Sequence, residues 1–346
     1  MAKYKDFIPQ NVAPKNTVSI GVYNGDERVG TIPLGFLSPP KKSKLYSFEA
    51  LSDIHITYDT AVTDFERALK YLDNSDCLFA IISGDLGGNG ARTELEEFMR
   101  LVGNRNVHFM PGNHENYSTK SYAYYEEVTG RPFYYSFEQG NDVFIMVGHY
   151  GGYQGDGIGW LASEFVSVEE LQWLYETLET NRNKRCFVFS HVFPYDDGVG
   201  DANRLYGAAN WRTKDGGVGQ AYIDLLKHYK NTVLFHGHSH LMLYLQEIDK
   251  KANYADSIGY RSVHIPSLAV PRDLPEPSQT HYSEVFAESE GYIVDVYDDY
   301  IILNGRDFID NDADGHIIPI GTYKIDTKLV NIPAGTFTDC TGIITT

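Results

Sequence analysis

The chain has 346 residues, of which 42% are hydrophobic, so it is long enough for one large domain with appendages or for two ordinary domains. Its formal net charge of -18 argues against a surface that binds nucleic acid or anionic lipid. A small anionic substrate remains compatible with this charge, because bound cations can make the local electrostatic potential positive. The three cysteines, Cys77, Cys186 and Cys340, are widely spaced, which predicts free thiols in a reducing compartment.

Residues 1–44 differ in character from the residues that follow. The segments TVSIGVYN and RVGTIPL flank Gly25-Asp26 and predict a short β-hairpin, and the Pro-Pro-Lys-Lys stretch at 39–42 is typical of a linker. The N-terminus has no apolar stretch of the kind found in signal peptides, and no apolar run reaches membrane-spanning length. We therefore expect a cytoplasmic protein that does not bind membranes.

From Tyr46 onward, strands alternate with amphipathic helices. The strands are predicted from apolar runs rich in β-branched and aromatic residues, namely SFEALS, CLFAIIS, NVHFM, DVFIMV, RCFVFS and NTVLFH. Capping boxes at 63–66, 93–96 and 167–170 predict helix starts, and Gly103 predicts the end of the second helix. The alternation indicates a layered α/β domain, which we bound at residues 45–310.

The later strands come with hairpin-like turns and little helix. They are predicted from RSVHIP, GYIVDVY and YIILNG, and they indicate that the sheet is mixed. Residues 311–346 are polar and β-rich, so we expect them to form a tail that packs on the core. The β segments at both termini are also where we expect contact with a second copy of the chain or a larger assembly.

Metal-binding residue types follow the first two strands of this domain. Asp53 and His55 come after SFEAL, and residues two apart on a strand project from one side, so both side chains can reach one ion. Asp85 follows CLFAIIS, where a carboxylate can bridge two cations or simply cap a turn. Taken singly, both patterns are more often structural.

Two further strands end in similar residues. Asn113 and His114 follow NVHFM and Pro-Gly, where the amide oxygen suits a metal and the imidazole suits proton donation, although Asn-His is ordinarily a turn. His191 ends RCFVFS, where a lone histidine is more often a strand-end residue.

The richest segment is VLFHGHSHL, residues 233–241. His238 and His240 flank Ser239, Gly237 allows close backbone approach, and we interpret His236 as a packing or supporting residue. All five segments lie at the C-terminal ends of predicted strands, which gather into one crevice in open α/β sheets. Together they therefore predict a common site.

The ordered set DIH (53–55), GD (84–85), GNHE (112–115), His191 and GHSH (237–240) resembles the signature of the calcineurin-like metallophosphoesterases. The resemblance implies a four-layer αββα sandwich with two mixed β-sheets, and it does not cover the terminal extensions. It implies two metal ions that share Asp85. The first ion would take Asp53, His55, Asp85 and His240, and the second would take Asp85, Asn113, His191 and His238. Carboxylates mixed with imidazoles, without thiolate, suit Mn, Fe or Zn.

The resemblance also implies a phosphoesterase mechanism. A metal-bridging hydroxide would attack the phosphorus, and His114 would stabilise the transition state or protonate the leaving oxygen. The segments GDLGGN and GNHENY lack the phosphate-clamping arginines that protein phosphatases carry there, although Arg92 or Arg105 could contact the phosphate instead. The segment after Gly84-Asp85 also lacks the tyrosine of purple acid phosphatases. We expect a small, nucleotide-like phosphodiester or phosphomonoester substrate, with the diester slightly favoured.

Two alternatives remain open at this stage. A nuclease of the same fold is opposed by the acidic charge, and a non-catalytic metal-binding member with a structural or interaction role is opposed by the complete ligand set. Substrate contacts are expected from the loops 149–160, 192–211 and 271–282. In them, Phe193, Tyr195 and Tyr206 could either stack on a base or pack a lid.

Overall fold

The chain divides into two compact units, Met1–Ser43 and Lys44–Thr346. The computed structural model describes residues 19–24, 27–33, 43–116, 121–148, 166–192, 199–200, 218–256, 258–274, 283–309 and 317–333. In the first unit, β1 (Ser19–Asn24) pairs antiparallel with β2 (Glu27–Pro33), which is the hairpin that the sequence predicts.

The described strands of the second unit are, in chain order, β3 (Tyr46–Leu51), β4 (Cys77–Ser83), β5 (Val107–Met110), β6 (Tyr135–Gln139), β7 (Asp142–Val147), β8 (Arg185–Ser190), β9 (Thr232–His236), β10 (Tyr254–Ala255), β11 (Ser262–His264), β12 (Arg272–Asp273), β13 (Ser283–Glu284), β14 (Glu290–Val296), β15 (Tyr300–Asp307) and β16 (Ile317–Asp326). The described helices are α1 (Ala61–Asn74), α2 (Arg92–Val102), α3 (Ser121–Thr129), α4 (Val168–Thr180) and α5 (Val218–His228). Two short 3₁₀ helices lie at His114–Asn116 and Leu243–Glu247.

Twelve of these strands form two sheets of six. The β3 sheet has the order β16-β15-β14-β3-β4-β5, and the β8 sheet has the order β10-β11-β9-β8-β7-β6. In the β3 sheet, β3 to β5 are parallel and β14 to β16 are antiparallel. In the β8 sheet, β7, β8, β9 and β11 are parallel, and the edge strands β6 and β10 are antiparallel. Both sheets are therefore mixed, as the resemblance implies.

Buried phenylalanines fill the space between the two sheets. Phe48 of β3 stacks on Phe79 at 5.5 Å and meets Phe144 and Phe187 of the β8 sheet at 5.3 and 5.8 Å. Alternate residues of the same strands face outward, because successive side chains on a strand point to opposite faces.

The outward-facing residues pack against helices. In the β3 sheet, Leu51 and Ile82 join Phe65 and Leu69 of α1 and Phe98 of α2 in one cluster. In the β8 sheet, the outward face packs on residues of α4 and α5 in a second cluster, formed by Val143, Ile145, Val188, Leu171, Leu174, Ala221 and Leu225. The order helix, sheet, sheet, helix confirms the predicted four-layer fold.

Two of the three predicted helix starts are wrong. Helix α1 begins at Ala61, its first buried residue, so Thr63 lies inside the helix. Helix α2 begins at Arg92, and the carboxylate of Glu94 accepts from the backbone N–H of Ala91, so Thr93 is not the cap. The third prediction is confirmed, because Ser167 accepts from the backbone N–H of Glu170 at 3.0 Å.

The start of α1 therefore coincides with its buried face, and the start of α2 is set by the bond from Glu94 to the residue before the helix. The predicted end of α2 is confirmed at Gly103, which has a φ of 58°.

A buried ion pair within the β8 sheet lies at the N-terminal ends of its strands, and hydrogen bonds around it reach the β3 sheet. Arg185 donates from Nε and Nη2 to the two carboxylate oxygens of Asp142, at 2.9 and 2.5 Å. Tyr46 of the β3 sheet donates to the same carboxylate at 2.5 Å, and Arg185 also donates to Thr327, which follows β16, at 3.0 Å. The C-terminal segment is thus tied to the sandwich both by β16 and by this network.

Cys77 and Cys186 are free thiols, as predicted, and Cys340 lies outside the described residues. Across the described ranges, no helix has both the length and the apolar character that crossing a membrane requires.

Candidate metal centre

The ends of strands from both sheets converge on one group of polar side chains. Ligand atoms of Asp53, His55, Asp85 and His240 all lie within 4.8 Å of one another. Asp85, His191 and His238 form a second group by the same measure. Of these residues, only His238 is not fully buried. The structure therefore brings six of the seven predicted ligands together, and Asp85 belongs to both groups.

The distances within the centre are short. Asp53 Oδ1 lies 2.9 Å from His240 Nε2, and Asp85 Oδ2 lies 3.0 Å from His191 Nε2. His55 Nε2 lies 3.2 Å from His240 Nε2 and 3.7 Å from Asp85 Oδ2. Nitrogen and carboxylate oxygen atoms thus face a common space.

The backbone is strained where it presents these residues. Among the described residues, all the non-glycine residues with positive φ belong to the centre: Asp53 (54°), His55 (44°), Asp85 (52°), His238 (76°) and His240 (61°). This conformation is unfavourable for residues with a Cβ and recurs at functional sites, where the surrounding structure enforces it. The strain therefore marks the same residues that the motifs single out.

Hydrogen bonds to backbone carbonyls orient two of the imidazoles. His191 Nδ1 donates to the carbonyl of Ser83 at 2.6 Å, and His240 Nδ1 donates to the carbonyl of Val270 at 3.0 Å. Each bond leaves Nε2 directed into the centre, which is how metal-binding histidines are usually held. Hydrogen bonds also orient Asp53, whose Oδ2 accepts from Ser52 Oγ at 2.6 Å and from the backbone N–H of His238 at 3.0 Å.

Several buried atoms of the centre make no hydrogen bond within the described structure. They include Asp53 Oδ1, His191 Nε2 and Asn113 Oδ1. The first two face His240 and Asp85 closely, but without hydrogen-bond geometry. Buried polar atoms are costly without partners, and a cation supplies a partner for all three. The donor set therefore fits metal ions, and the role of Asn113 as a ligand stays a prediction.

Charges within the centre shift the pKa values of its members. Burial raises the pKa of Asp53 and Asp85, but the adjacent imidazoles outweigh burial and hold both pKa values below their usual range. Burial lowers the pKa of His191, yet Asp85 and Asp53 outweigh it and raise that pKa to about 9. Burial lowers the pKa of His55 well below its usual range. Asp53, Asp85 and His191 therefore stabilise one another's charged forms.

Glu115 connects the loop of Asp85 to the loop of Asn113. Its two carboxylate oxygens accept from the backbone N–H groups of Gly87 at 2.8 Å and of Gly112 at 2.7 Å. Burial and the nearby charge of Asp85 raise the pKa of Glu115 to about 8. Glu115 belongs to the GNHE motif, which by itself predicts no role for it. Its position beside Asn-His is the only sequence signal for it.

Gly112 itself lies against Asp85. A Cβ on Gly112 would lie 2.2 Å from Asp85 Oδ1 and 2.4 Å from Asp85 N, so no larger residue fits without a shift.

His114 lies at the open side of the centre, with 20% of its side chain exposed. Its Nδ1 donates to the carbonyl of Gly88 at 2.6 Å, and its Nε2 lies 3.7 Å from Asp85 Oδ2. His236 lies outside both ligand groups and packs on His264, with 5.6 Å between ring centroids.

The arginines suggested as phosphate contacts lie elsewhere. Arg92 pairs with Glu96 and Glu127, and Arg105 pairs with Asp73. The predicted substrate loops lie outside the described residues apart from 192, 199–200 and 271–274, so Phe193, Tyr195 and Tyr206 are not described.

Sequence reasoning missed Arg272, which is 7% exposed. Its backbone N–H donates to the His240 carbonyl at 2.7 Å. Burial lowers the pKa of His240, and the charge of Arg272 lowers it further.

Comparison with known proteins gives both sequence and fold matches. Residues 48–242 match the profile of a family described as calcineurin-like phosphoesterase. A search of curated proteins gives no match.

Solved structures with a similar fold include a dimetal phosphatase from Danio rerio, with a TM-score of 0.53, 15% identity, and coverage of 83% of this chain and 100% of that chain. GAP50, described as the anchor in the inner membrane complex of Plasmodium, has a TM-score of 0.53 at 10% identity, with 87% and 94% covered. A purple acid phosphatase from yellow lupin seeds has a TM-score of 0.52 at 14% identity, with 90% and 59% covered.

Proposed function

We propose a function from one premise: the chain belongs to the calcineurin-like phosphoesterase family. The function is metal-dependent hydrolysis of a phosphate ester. The observation that supports it best is the pair of ligand groups that share Asp85 at the meeting point of two sheets. We further propose a small, nucleotide-like substrate, with a phosphodiester slightly favoured over a phosphomonoester because the sequence lacks phosphate-clamping arginines at the expected places.

The proposed ligands follow the two groups. One cation would be held by Asp53, His55, Asp85 and His240, and the second would be held by Asp85, Asn113, His191 and His238. The mixture of carboxylate, amide and imidazole donors supports Mn, Fe or Zn. Bound cations supply a lowered pKa for water and neutralise the charge of the phosphoryl oxygens.

Residues of the chain itself orient His114 and supply a proton to the leaving oxygen. The Gly88 carbonyl fixes the His114 ring through Nδ1, which leaves Nε2 on the side of the centre, 3.7 Å from Asp85 Oδ2. A protonated His114 at the open side of the centre transfers the Nε2 proton to the leaving oxygen as the phosphorus–oxygen bond breaks. Glu115 keeps the Asp85 and Asn113 loops in place and takes no part in proton transfer.

Metal content and hydrolysis test this proposal together. We expect about two transition ions per chain, and turnover of bis-p-nitrophenyl phosphate or p-nitrophenyl phosphate when Mn, Fe or Zn is supplied. Asp85→Asn should lose metal and turnover. His114→Ala should keep metal and lose about 100- to 10,000-fold in rate. Asp73→Asn, at a surface carboxylate paired with Arg105, is the matched control and should change neither. A wild type that binds two ions and hydrolyses neither ester would contradict the proposal.

That outcome would favour the alternative, a non-catalytic metal-binding member with a structural or interaction role. GAP50, whose fold is similar, is described as the anchor in the inner membrane complex of Plasmodium, which supports an interaction role as the alternative. For this chain, the orphaned ligand atoms and the position of His114 support catalysis instead.

Location and assembly are also proposals. Free Cys77 and Cys186 support a reducing compartment such as the cytoplasm. Self-association through the terminal β segments is testable by sedimentation of the full chain, compared with a chain that begins at Lys44.

A further inference from the structure

Two aromatic rings extend outward from the metal centre. Tyr58 lies in the turn between β3 and α1, where its N–H donates to the His55 carbonyl at 2.9 Å and its carbonyl accepts from Ala61 N at 3.1 Å. Its ring meets the His55 ring at 5.1 Å between centroids. Phe286 meets Tyr58 in turn at 6.0 Å, with the planes at 72°. Phe286 is 44% exposed, so this row of rings leads from the centre to solvent.

A short strand pair brings Phe286 to this place. Strands β12 and β13 pair Arg272 with Glu284, and Val285 N donates to the Pro271 carbonyl at 2.9 Å just before Phe286. The same hairpin is bonded to the centre, because Arg272 N donates to the His240 carbonyl at 2.7 Å. Phe286 is therefore positioned by backbone hydrogen bonds that continue to a proposed metal ligand.

The rings lie beside the residue proposed to protonate the leaving group. His114 packs on His55 with 4.6 Å between ring centroids, so His114 and Tyr58 flank the same imidazole. Gly88 accepts from His114 through its carbonyl, and its Cα lies so close to Thr57 that a Cβ would be 2.0 Å from Thr57 Oγ1. The turn that holds Tyr58 and the His114 ring thus contact the same loop.

We propose that Tyr58 and Phe286 form an aromatic subsite for the alcohol portion of the substrate. The substrate class is a phosphate ester whose alcohol carries an aromatic ring, either a nucleoside base or an aryl group. This proposal rests on the proposed function, because the phosphoryl group must lie at the metal centre for its alcohol to reach these rings. Aromatic rings stack with gains that an aliphatic alcohol cannot obtain, and an exposed phenylalanine offers such a surface.

Equilibrium binding tests the subsite without relying on turnover. Metal-loaded protein is titrated calorimetrically with phenylphosphonate and methylphosphonate, and separately with the non-hydrolysable phosphonate analogues of adenosine 5′-monophosphate and ribose 5-phosphate. The partners of each pair share the phosphoryl group and differ in the ring. The wild type should bind at least one ringed partner about 10-fold more tightly than its ringless partner.

Phe286→Ala and Tyr58→Ala should reduce that preference toward unity, whereas Tyr58→Phe should retain it. The control is Leu78→Ala, at an exposed apolar residue near the start of β4, the end of that strand opposite Asp85; it should leave the preference unchanged.

The outcomes separate this proposal from the proposed function. A ring preference that the alanine variants reduce, in either ligand pair, supports the subsite. The adenosine pair would identify a nucleoside as the alcohol, and the phenyl pair would identify an aryl alcohol. A wild type that binds ringed and ringless partners equally, or a preference that survives both alanine variants, overturns the subsite even if the protein hydrolyses phosphate esters. Ringed ligands that bind more tightly through Phe286 while no ester is hydrolysed would support the subsite and overturn the hydrolytic function.

Discussion

Replacing Gly112 by alanine is expected to disable the metal centre while the fold persists. The added Cβ would lie 2.2 Å from Asp85 Oδ1 and 2.4 Å from Asp85 N, whereas ordinary contact begins near 3.4 Å. Since Asp85 N belongs to the backbone, relief requires one of the two loops to move by about 1 Å. Metal ligands tolerate displacements of about 0.2 Å. We therefore expect a loss of about 10- to 100-fold in metal affinity and about 100-fold in turnover.

The assay is equilibrium dialysis against Zn²⁺ followed by elemental analysis, together with hydrolysis and guanidinium unfolding. Overpacking should also reduce the free energy of unfolding by about 1–3 kcal/mol. The control is Gly140→Ala in the turn between β6 and β7, where a Cβ meets nothing within 4 Å although φ is 62°. That variant should lose about 1–2 kcal/mol through backbone strain and keep its metal. Wild-type affinity and turnover in Gly112→Ala would refute the argument that close approach to Asp85 limits this position.

Three further predictions concern the sandwich itself. Arg185→Ala leaves the buried Asp142 carboxylate without its ion pair and should lower the free energy of unfolding by about 3–5 kcal/mol in guanidinium, and a loss below about 1 kcal/mol would contradict this. Burial raises the pKa of Glu170 to about 8, above its value in the unfolded chain. The contribution of Glu170 to the free energy of unfolding is therefore fully present below about pH 4.5 and is lost as the pH rises to about 8. Glu170→Gln should therefore lose less stability between pH 5 and 8 than the wild type, and equal slopes would refute the shift. Phe48→Ala empties the space between the sheets and should cost about 3–5 kcal/mol, measured in the same way.

Much of the centre could be predicted from sequence for a simple physical reason. The apolar runs before Asp53, Asp85 and His191 identify parallel strands, and the C-terminal ends of such strands share one edge of the sheet. The motifs therefore locate the cluster without any knowledge of its distances. Strand β6 was missed because its residues alternate between half-buried and exposed and form no apolar run.

Other features depend on contacts that no local pattern encodes. The role of Glu115 arises from two backbone N–H groups on different loops, and only the folded chain brings Gly87 near it. The pairing of Tyr58 with Phe286 joins residues that are more than two hundred positions apart. The predicted start of α2 at Thr93 failed because Glu94 bonds to the loop before the helix, a contact that sequence spacing alone does not distinguish from a capping box.

The division of the centre between the two sheets has a thermodynamic consequence. Asp53 and Asp85 extend from the β3 sheet, and His191 and His240 extend from the β8 sheet, so ions held among them would add cross-links to the packing and hydrogen bonds that already join the two layers. A ligand that binds only the folded chain stabilises it by about 1.4 kcal/mol for each tenfold rise in its free concentration above the dissociation constant. The resistance of this sandwich to unfolding would then depend on the metal supply of its surroundings as well as on its aromatic interior.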